Sequence, residues 1–185
     1  MRKLPPSLEC PVDNLLIDIT EPTLKYLHEV GCTPNHLTTF GVLFRALSMM
    51  VLLDGRLSQL LFLIVYLIGF MFDCMDGFYA RRYNMCTVFG DFYDHASDTC
   101  FAALVIYYHW THQTMYHMLA NLGLLVLLAV HIGCSQLYWS ESRSGSGEYL
   151  DIYKNLPYIS KDWLPVTRYF GCGTYIILSS LLCCL

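Results

Sequence analysis

The sequence predicts an all-α fold, a polytopic membrane helix bundle of about five to six transmembrane helices preceded by an amphipathic helix at the membrane surface. Hydrophobic residues make up 55% of the 185 residues and charged residues only 14%, whereas a soluble domain carries about 25% charged residues. The mean hydropathy is +0.43. Several apolar stretches approach the ~20 residues that a helix needs to cross a bilayer. The mild net charge of −4 and the lack of a basic tract give no indication of a nucleic-acid partner.

The first predicted element is amphipathic. Residues 12–30 mix apolar and charged positions, which is typical of a helix lying at the membrane surface, and Pro22 marks a bend or a helix start. Gly31 favours the end of this helix. Thr33 and Pro34 then form the expected cap and first turn of the next one. Residues 1–33 are therefore predicted to form an N-terminal segment.

The transmembrane domain is predicted to cover residues 34–185. Its apolar stretches are residues 36–53, 57–80, 87–110 and 115–138, and a fifth covers 166–185. Residues 139–161 are polar and rich in Ser and Gly, which predicts a loop. The resemblance described below implies six spans, whereas five are found. The sixth is either missing or replaced by a re-entrant or interfacial helix within residues 149–166.

The basic residues predict the orientation. With these spans, one side of the membrane receives Arg2, Lys3, Lys25, Arg81, Arg82, Arg143, Lys154, Lys161 and Arg168. Arg56 alone falls on the other side, and Arg45 lies within the first span. Because basic residues accumulate on the cytosolic side of membrane proteins, the N-terminus and the Arg81–Arg82 turn are predicted to face the cytosol.

Four aspartates lie next to this cytosolic turn. Asp73 and Asp76 come near the end of the second span, and Asp94 and Asp98 near the start of the third. Residues three or four apart share a helix face. The short segment 81–86 predicts that the two helices are antiparallel neighbours. All four carboxylates are therefore expected to converge on one point.

Converging carboxylates need a positive partner, or several of them must be protonated, because they repel one another and lose hydration at membrane depth. Arg81 and Arg82 are the nearby basic side chains. Hard divalent cations prefer oxygen ligands, and Mg²⁺ commonly shares carboxylates with substrate phosphates. The pattern predicts a site for Mg²⁺ or Mn²⁺, with two ions favoured, and such a pair suits phosphoryl-type substitution.

Small residues accompany the aspartates. Gly77 follows Asp76, Ala80 lies one turn further, and Gly90 precedes Asp94 by one turn. Small side chains let a ligand approach the backbone closely. Arg81 lies one turn beyond Gly77, where its guanidinium is expected to grip a phosphate.

The whole segment resembles the signature of the CDP-alcohol phosphotransferase family, also called the CDP-alcohol phosphatidyltransferase family. The pattern is D-x2-D-G-x2-A-R-x8-G-x3-D-x3-D. The matching residues are Asp73, Asp76, Gly77, Ala80, Arg81, Gly90, Asp94 and Asp98, with every spacing satisfied. The resemblance is specific over residues 34–100 and general elsewhere.

The resemblance implies residue roles and a reaction. Metal ligands would be Asp73, Asp76 and Asp94, while Asp98 would be the catalytic base and a further metal contact. The CDP pocket would consist of Gly77, Ala80, Arg81, Gly90, Asn35 and Thr38. An acceptor hydroxyl would attack the β-phosphorus of the donor, and CMP would leave.

The choice of substrates stays open between two branches of the family. The compact chain, with the run of residues 80–84 followed by 88–90, favours transfer of a phosphatidyl group from CDP-diacylglycerol to a small polar alcohol such as glycerol 3-phosphate, inositol or serine. The Asp94–His95 pair resembles the branch that joins CDP-choline or CDP-ethanolamine to diacylglycerol. A third hypothesis is a divalent-cation carrier. Membrane lipid is an expected partner, a homodimer is possible in this family, and a eukaryotic enzyme of this kind is expected in the endoplasmic reticulum.

Other polar residues carry two interpretations each. Asp91 either stabilises the positive end of the third helix or binds nucleotide or metal. His95 is expected to point away from Asp94 and to serve packing or hydrogen bonding. Arg45, inside a span, either binds a substrate phosphate or pairs with a carboxylate. The nine cysteines are interpreted as small apolar packing residues, and Cys183 and Cys184 alternatively as lipid attachment sites.

Overall fold

The computed structural model describes residues 2–55, 58–142 and 159–185, and in these residues it is helical without strands. The helices are α1 (Pro11–Glu29), α2 (Pro34–Asp54), α3 (Gln59–Arg82), α4 (Val88–His112), α5 (Met115–Ser142), α6 (Leu164–Thr167) and α7 (Cys172–Cys183). Short 3₁₀ turns at Lys161–Trp163 and Arg168–Phe170 flank α6. The predicted all-α class is confirmed. Arg56, Arg143, Lys154 and most of the proposed helix at 149–166 lie outside the described residues.

The helix ends follow from local chemistry. Thr33 is extended at the start of α2, its N–H donates to His36 Nδ1 at 3.2 Å, and Pro34 occupies the first turn. The Thr87 hydroxyl accepts the Gly90 N–H at 2.9 Å and caps α4. Gly31, after α1, has a φ of 77°, a left-handed conformation that glycine adopts without a steric penalty.

Three helices are long and apolar enough to cross a membrane, namely α2, α3 and the part of α5 that ends at Ser140. Helix α4 has 25 residues, but its first turns carry aspartates that lower its hydropathy. The predicted fifth span at 166–185 is not one continuous helix in the structure. The chain is extended at Gly171, and α7 is a 12-residue helix, well short of the ~20 residues that a span requires.

The helices α2 and α3 pack closely through two glycines. A Cβ atom at Gly69 would lie 3.0 Å from the Gly41 carbonyl oxygen and 2.7 Å from Arg45 Cγ. The backbones therefore approach each other as small residues allow at helix interfaces in membranes. This contact decides how deeply Arg45 enters the space beside α3.

Gly69→Ala should lower the free energy of unfolding by about 1–3 kcal/mol, because the added methyl group overpacks the α2–α3 contact. The measurement is thermal unfolding of the detergent-solubilised protein. Gly123→Ala is the matched control, since nothing lies within 4 Å of a Cβ at that position of α5. Equal melting temperatures for the two variants would contradict the close contact.

Helices α3 and α4 do not pack side by side as the sequence interpretation expected. They face each other across a cavity, and α2 and α7 contact both of them. The reason is chemical, because four carboxylates on directly packed helices would lose their hydration without room for a positive partner. The opening between α3 and α4 supplies that room.

The N-terminal segment packs onto the bundle. Leu4 is buried in a cluster with Cys134 of α5 and Leu164 of α6. The Arg168 guanidinium donates to the Ser7 carbonyl. On α1, Asp13 accepts the backbone N–H of α7 residue Gly173 at 2.8 Å. The segment thereby forms one wall of the cavity.

Candidate active site

One cavity of about 1120 Å³ is lined by every residue that the sequence interpretation assigned to catalysis, metal binding or CDP binding. These residues are Asn35, Thr38, Asp73, Asp76, Gly77, Ala80, Arg81, Gly90, Asp94 and Asp98. They come from α2, α3 and α4, and the N-terminal segment, α5 and α7 complete the lining. The predicted convergence of the four aspartates is therefore present in the structure.

Arg45 joins the aspartates of the two facing helices. Its Nη2 donates to Asp73 Oδ1 at 2.9 Å, and its Nη1 donates to Asp98 Oδ1 at 2.5 Å. The arginine is 1% exposed, and its guanidinium stacks over the Phe101 ring, 4.9 Å from the ring centre. Two roles were predicted for Arg45, and the structure shows the second of them, the pairing with carboxylates. The planar fork with two donating edges suits this bridge, which a lysine could not reproduce.

Asp76 is the most enclosed of the four aspartates, with 3% of its surface exposed. The Thr38 hydroxyl donates to Asp76 Oδ2 at 2.5 Å. This hydrogen bond fixes the orientation of the Asp76 carboxyl group. Thr38 therefore contacts a predicted metal ligand directly, in addition to lining the predicted nucleotide pocket.

Asp94, His95 and Asp98 form a group of possible ligands whose donor atoms lie within 4.8 Å of one another. Asp94 Oδ1 is buried and makes no hydrogen bond within the described residues. A buried carboxylate oxygen without a hydrogen bond is costly unless a cation binds it. The two carboxylates of this group, one of them with an orphaned oxygen, are donors of the kind that hard divalent cations prefer.

His95 lies closer to the carboxylates than the helical-wheel argument expected. Its Nδ1 is 3.6 Å from Asp94 Oδ2 and its Nε2 is 3.3 Å from Asp91 Oδ1. The imidazole thus spans two aspartates of α4. Asp91 also lies in the first turn of α4, where a negative charge stabilises the helix, as the first of its two interpretations predicted.

Two glycines create space at the opening beside Arg81. A Cβ at Gly77 would lie 3.1 Å from Arg81 Nη1. A Cβ at Gly90 would lie 3.0 Å from Asn35 Oδ1. The absence of side chains at these positions lets Arg81 fold back over α3 and lets Asn35 of α2 approach α4.

Sequence reasoning missed part of the lining. Glu9, Asp13 and His131 all face the cavity. The two acids lie on and beside α1, where charged residues look like the solvated face of an amphipathic helix. His131 offered a signal, since a polar residue within an apolar span commonly faces a functional cavity.

The family model of the CDP-alcohol phosphatidyltransferases matches residues 32–147. The match covers more than half of the chain, and the protein belongs to this family. Its members transfer phosphate-containing groups, use CDP-alcohols and alcohol acceptors in a membrane setting, and generally depend on divalent cations. The resemblance seen in the aspartate signature is confirmed.

The chain is also similar to a protein of Aquifex aeolicus (strain VF5) that is described as uncharacterized, with 32% identity over 97 residues. The matched region covers 49% of this chain and 48% of that protein, so the chain spans about half the length of this relative. No solved structure matches the chain.

Proposed function

We propose that the protein is a metal-dependent transferase that moves a phosphatidyl group from CDP-diacylglycerol to a small polar alcohol and releases CMP. The observation that carries the proposal is the convergence of Asp73, Asp76, Asp94 and Asp98 on one cavity that is large enough for a nucleotide and an acceptor. The signature of the family runs through the same residues.

Asp73, Asp76 and Asp94 are the proposed metal ligands, with Asp98 as a further contact. The orphaned Asp94 Oδ1 supports this assignment, as does the fixed orientation of Asp76 by Thr38. We expect two Mg²⁺ or Mn²⁺ ions. When bound, they would neutralise the donor diphosphate and the charge that develops on the departing CMP.

The CDP moiety is proposed to bind between α2, α3 and α4. Arg81 would pair with the diphosphate, since a guanidinium donates two parallel hydrogen bonds to phosphate oxygens. Gly77, Ala80 and Gly90 leave the backbone accessible beside it, and Asn35 of α2 offers an amide to the nucleotide. Thr38 would act on the nucleotide pocket mainly through Asp76.

Asp98 is the proposed general base. Its side chain is 34% exposed, compared with 10% for Asp73 and 23% for Asp94, so among the four signature aspartates it is the most accessible to an entering alcohol. The acceptor O–H bond breaks as its proton passes to Asp98, the oxygen bonds to the β-phosphorus, and the bond from that phosphorus to the CMP oxygen breaks. Proton transfer to a positioned base contributes about 10²–10⁴-fold to such a step.

The membrane orientation is also a proposal. Arg81 and Arg82 end α3 beside the aspartates, and a cytosolic position for them follows the positive-inside rule. The cavity would then open to the cytosol. A soluble CDP-linked donor or one anchored in the membrane could enter it from that side. In a eukaryotic cell the expected location is the endoplasmic reticulum.

The deciding experiment measures CMP release by the purified protein with CDP-diacylglycerol, a panel of alcohols, and Mg²⁺ or Mn²⁺. We expect CMP release that is lost in EDTA and restored by adding back the cation. The same alcohols with CDP-diacylglycerol but without protein provide the background. No CMP release with CDP-diacylglycerol and any acceptor would refute this proposal.

A second candidate keeps the site and exchanges the donor. The imidazole of His95 spans Asp91 and Asp94, and an Asp–His pair at this place resembles the branch that uses CDP-choline or CDP-ethanolamine with diacylglycerol. Labelled CDP-choline incubated with diacylglycerol separates the candidates. Labelled phospholipid formed from this donor and not from CDP-diacylglycerol would establish the second one.

A further inference from the structure

The cavity lining carries more negative than positive charge. Among the described residues, its basic side chains are Lys3, Arg45 and Arg81, while its acidic ones are Glu9, Asp13 and five aspartates of α3 and α4. Two divalent cations would bring this lining near neutrality, and the donor diphosphate would make it negative again. An acceptor with its own phosphate group would therefore be repelled, whereas a positively charged acceptor would be attracted.

Asp13 holds a carboxylate close to the reaction centre from the N-terminal side. Its Oδ1 accepts the Gly173 N–H at 2.8 Å, which ties α1 to the start of α7. The neighbouring Cys172 lies near enough to interact electrostatically with both Asp13 and Asp98. An acceptor whose hydroxyl reaches Asp98 would thus extend toward Asp13.

The two acids of the N-terminal segment differ in their surroundings. The positive charges of Arg81, Arg2 and Lys3 act on Glu9. Within the described part of the chain, no basic side chain pairs with Asp13. Burial, together with the charge of Glu9, raises the pKa of Asp13 to about 7 in spite of the Gly173 N–H. The negative charge of Asp13 therefore has no positive partner among the side chains that the structure describes, and a bound cation would supply one.

A second polar group that lines the same cavity also lacks a partner. The Tyr175 hydroxyl is buried and makes no hydrogen bond within the described residues. The residue is 6% exposed, lines the same cavity, and follows Gly173 by two positions on α7. A buried hydroxyl without a partner costs free energy that a polar ligand recovers. Asp13 and Tyr175 are therefore two lining groups of one cavity that a polar ligand would complete.

We propose that the acceptor is an amino alcohol whose ammonium group binds Asp13. This inference rests on the proposed transfer to a small polar alcohol and names the chemical class of that alcohol. It makes α1 a part of the substrate site. It also ranks ethanolamine-like acceptors above neutral polyols and above alcohol phosphates.

The first test compares acceptors in the wild type and in Asp13→Asn. The asparagine keeps the shape and still accepts the Gly173 N–H, but it has no charge for an ammonium group. We expect the KM for ethanolamine to rise by about 10- to 100-fold, as for the loss of a charged hydrogen bond, with little change in kcat. The KM for inositol should rise far less than the KM for ethanolamine, because a neutral polyol has no ammonium group to lose this charge. Asp18→Asn, at an exposed position of the same helix, is the matched control.

The pH dependence supplies a second readout. Below a pH of about 7 Asp13 takes up a proton and loses its charge, so the wild-type KM for ethanolamine should rise as the pH falls, and the Asp13→Asn value should not. The titratable groups that face Asp13 are Glu9, Cys10, Cys74 and Cys172. These groups are present in the wild type and in Asp13→Asn, so the difference between the two pH profiles excludes their contributions.

A binding measurement separates this inference from the proposed function. Ethanolamine should raise the melting temperature of the wild type more than an equal concentration of glycerol does, and this difference should vanish in Asp13→Asn. If CDP-diacylglycerol yields no CMP but this difference remains, the proposed donor is wrong and the ammonium site stands. Equal effects of ethanolamine and glycerol on the wild type, or a preference for glycerol 3-phosphate in turnover, would overturn the inference.

Discussion

Asp98→Asn should reduce kcat for CMP release by about 10²–10⁴-fold, the contribution that a positioned general base makes. An amide oxygen can still accept the Arg45 N–H that reaches this position at 2.5 Å, so the fold of the site should survive. The amide cannot take up the proton of the acceptor hydroxyl. Because Asp73, Asp76 and Asp94 are unchanged, calorimetry should find Mn²⁺ binding and donor binding largely retained.

Asp76→Asn should give a different result. Its carboxylate is enclosed and oriented by Thr38, and we propose that it binds the cation directly, so both Mn²⁺ binding and turnover should fall. Asp54→Asn is the matched control, because Asp54 is exposed at the other end of α2 and should affect neither. Near-normal turnover in Asp98→Asn, or normal Mn²⁺ binding in Asp76→Asn, would contradict the assigned roles.

Arg45→Met should destabilise the protein in EDTA by about 3–5 kcal/mol. The substitution leaves Asp73 and Asp98 without the guanidinium that joins them, and removing one partner of a buried ion pair has about this cost. Saturating Mg²⁺ should recover more stability in Arg45→Met than in the wild type, because the cation then supplies the missing positive charge. Thermal unfolding with EDTA and with Mg²⁺ measures both effects.

Arg82→Met provides the control for this prediction. Arg82 pairs with Glu21 at the surface, with 43% of its side chain exposed, and exposed pairs contribute about 0–1 kcal/mol. Its melting temperature should stay near that of the wild type in both conditions. If Arg45→Met melted like Arg82→Met in EDTA, Arg45 would not be the counter-ion of the aspartates.

Much of the fold followed from local patterns. Hydropathy located α2, α3, α4 and α5 to within a few residues, and Thr33, Thr87 and the glycine after α1 marked helix ends that the structure contains. The break at Gly171 within the predicted fifth span was not expected, because hydropathy does not indicate where the backbone bends. Gly171 and Gly173 approach Cys10 and Val12 too closely for side chains, and that contact belongs to the packing of α7 against α1.

The sequence by itself determined the aspartate register, since spacings of three and four residues place side chains on one face of any α-helix whatever surrounds it. It thereby determined that Asp73 and Asp76 share one helix face, and that Asp94 and Asp98 share another. Only the tertiary structure decided that Arg45 lies between the two pairs and that Asp13 faces them from α1. Those contacts join residues distant along the chain, and they depend on the close α2–α3 and α1–α7 approaches rather than on any local periodicity.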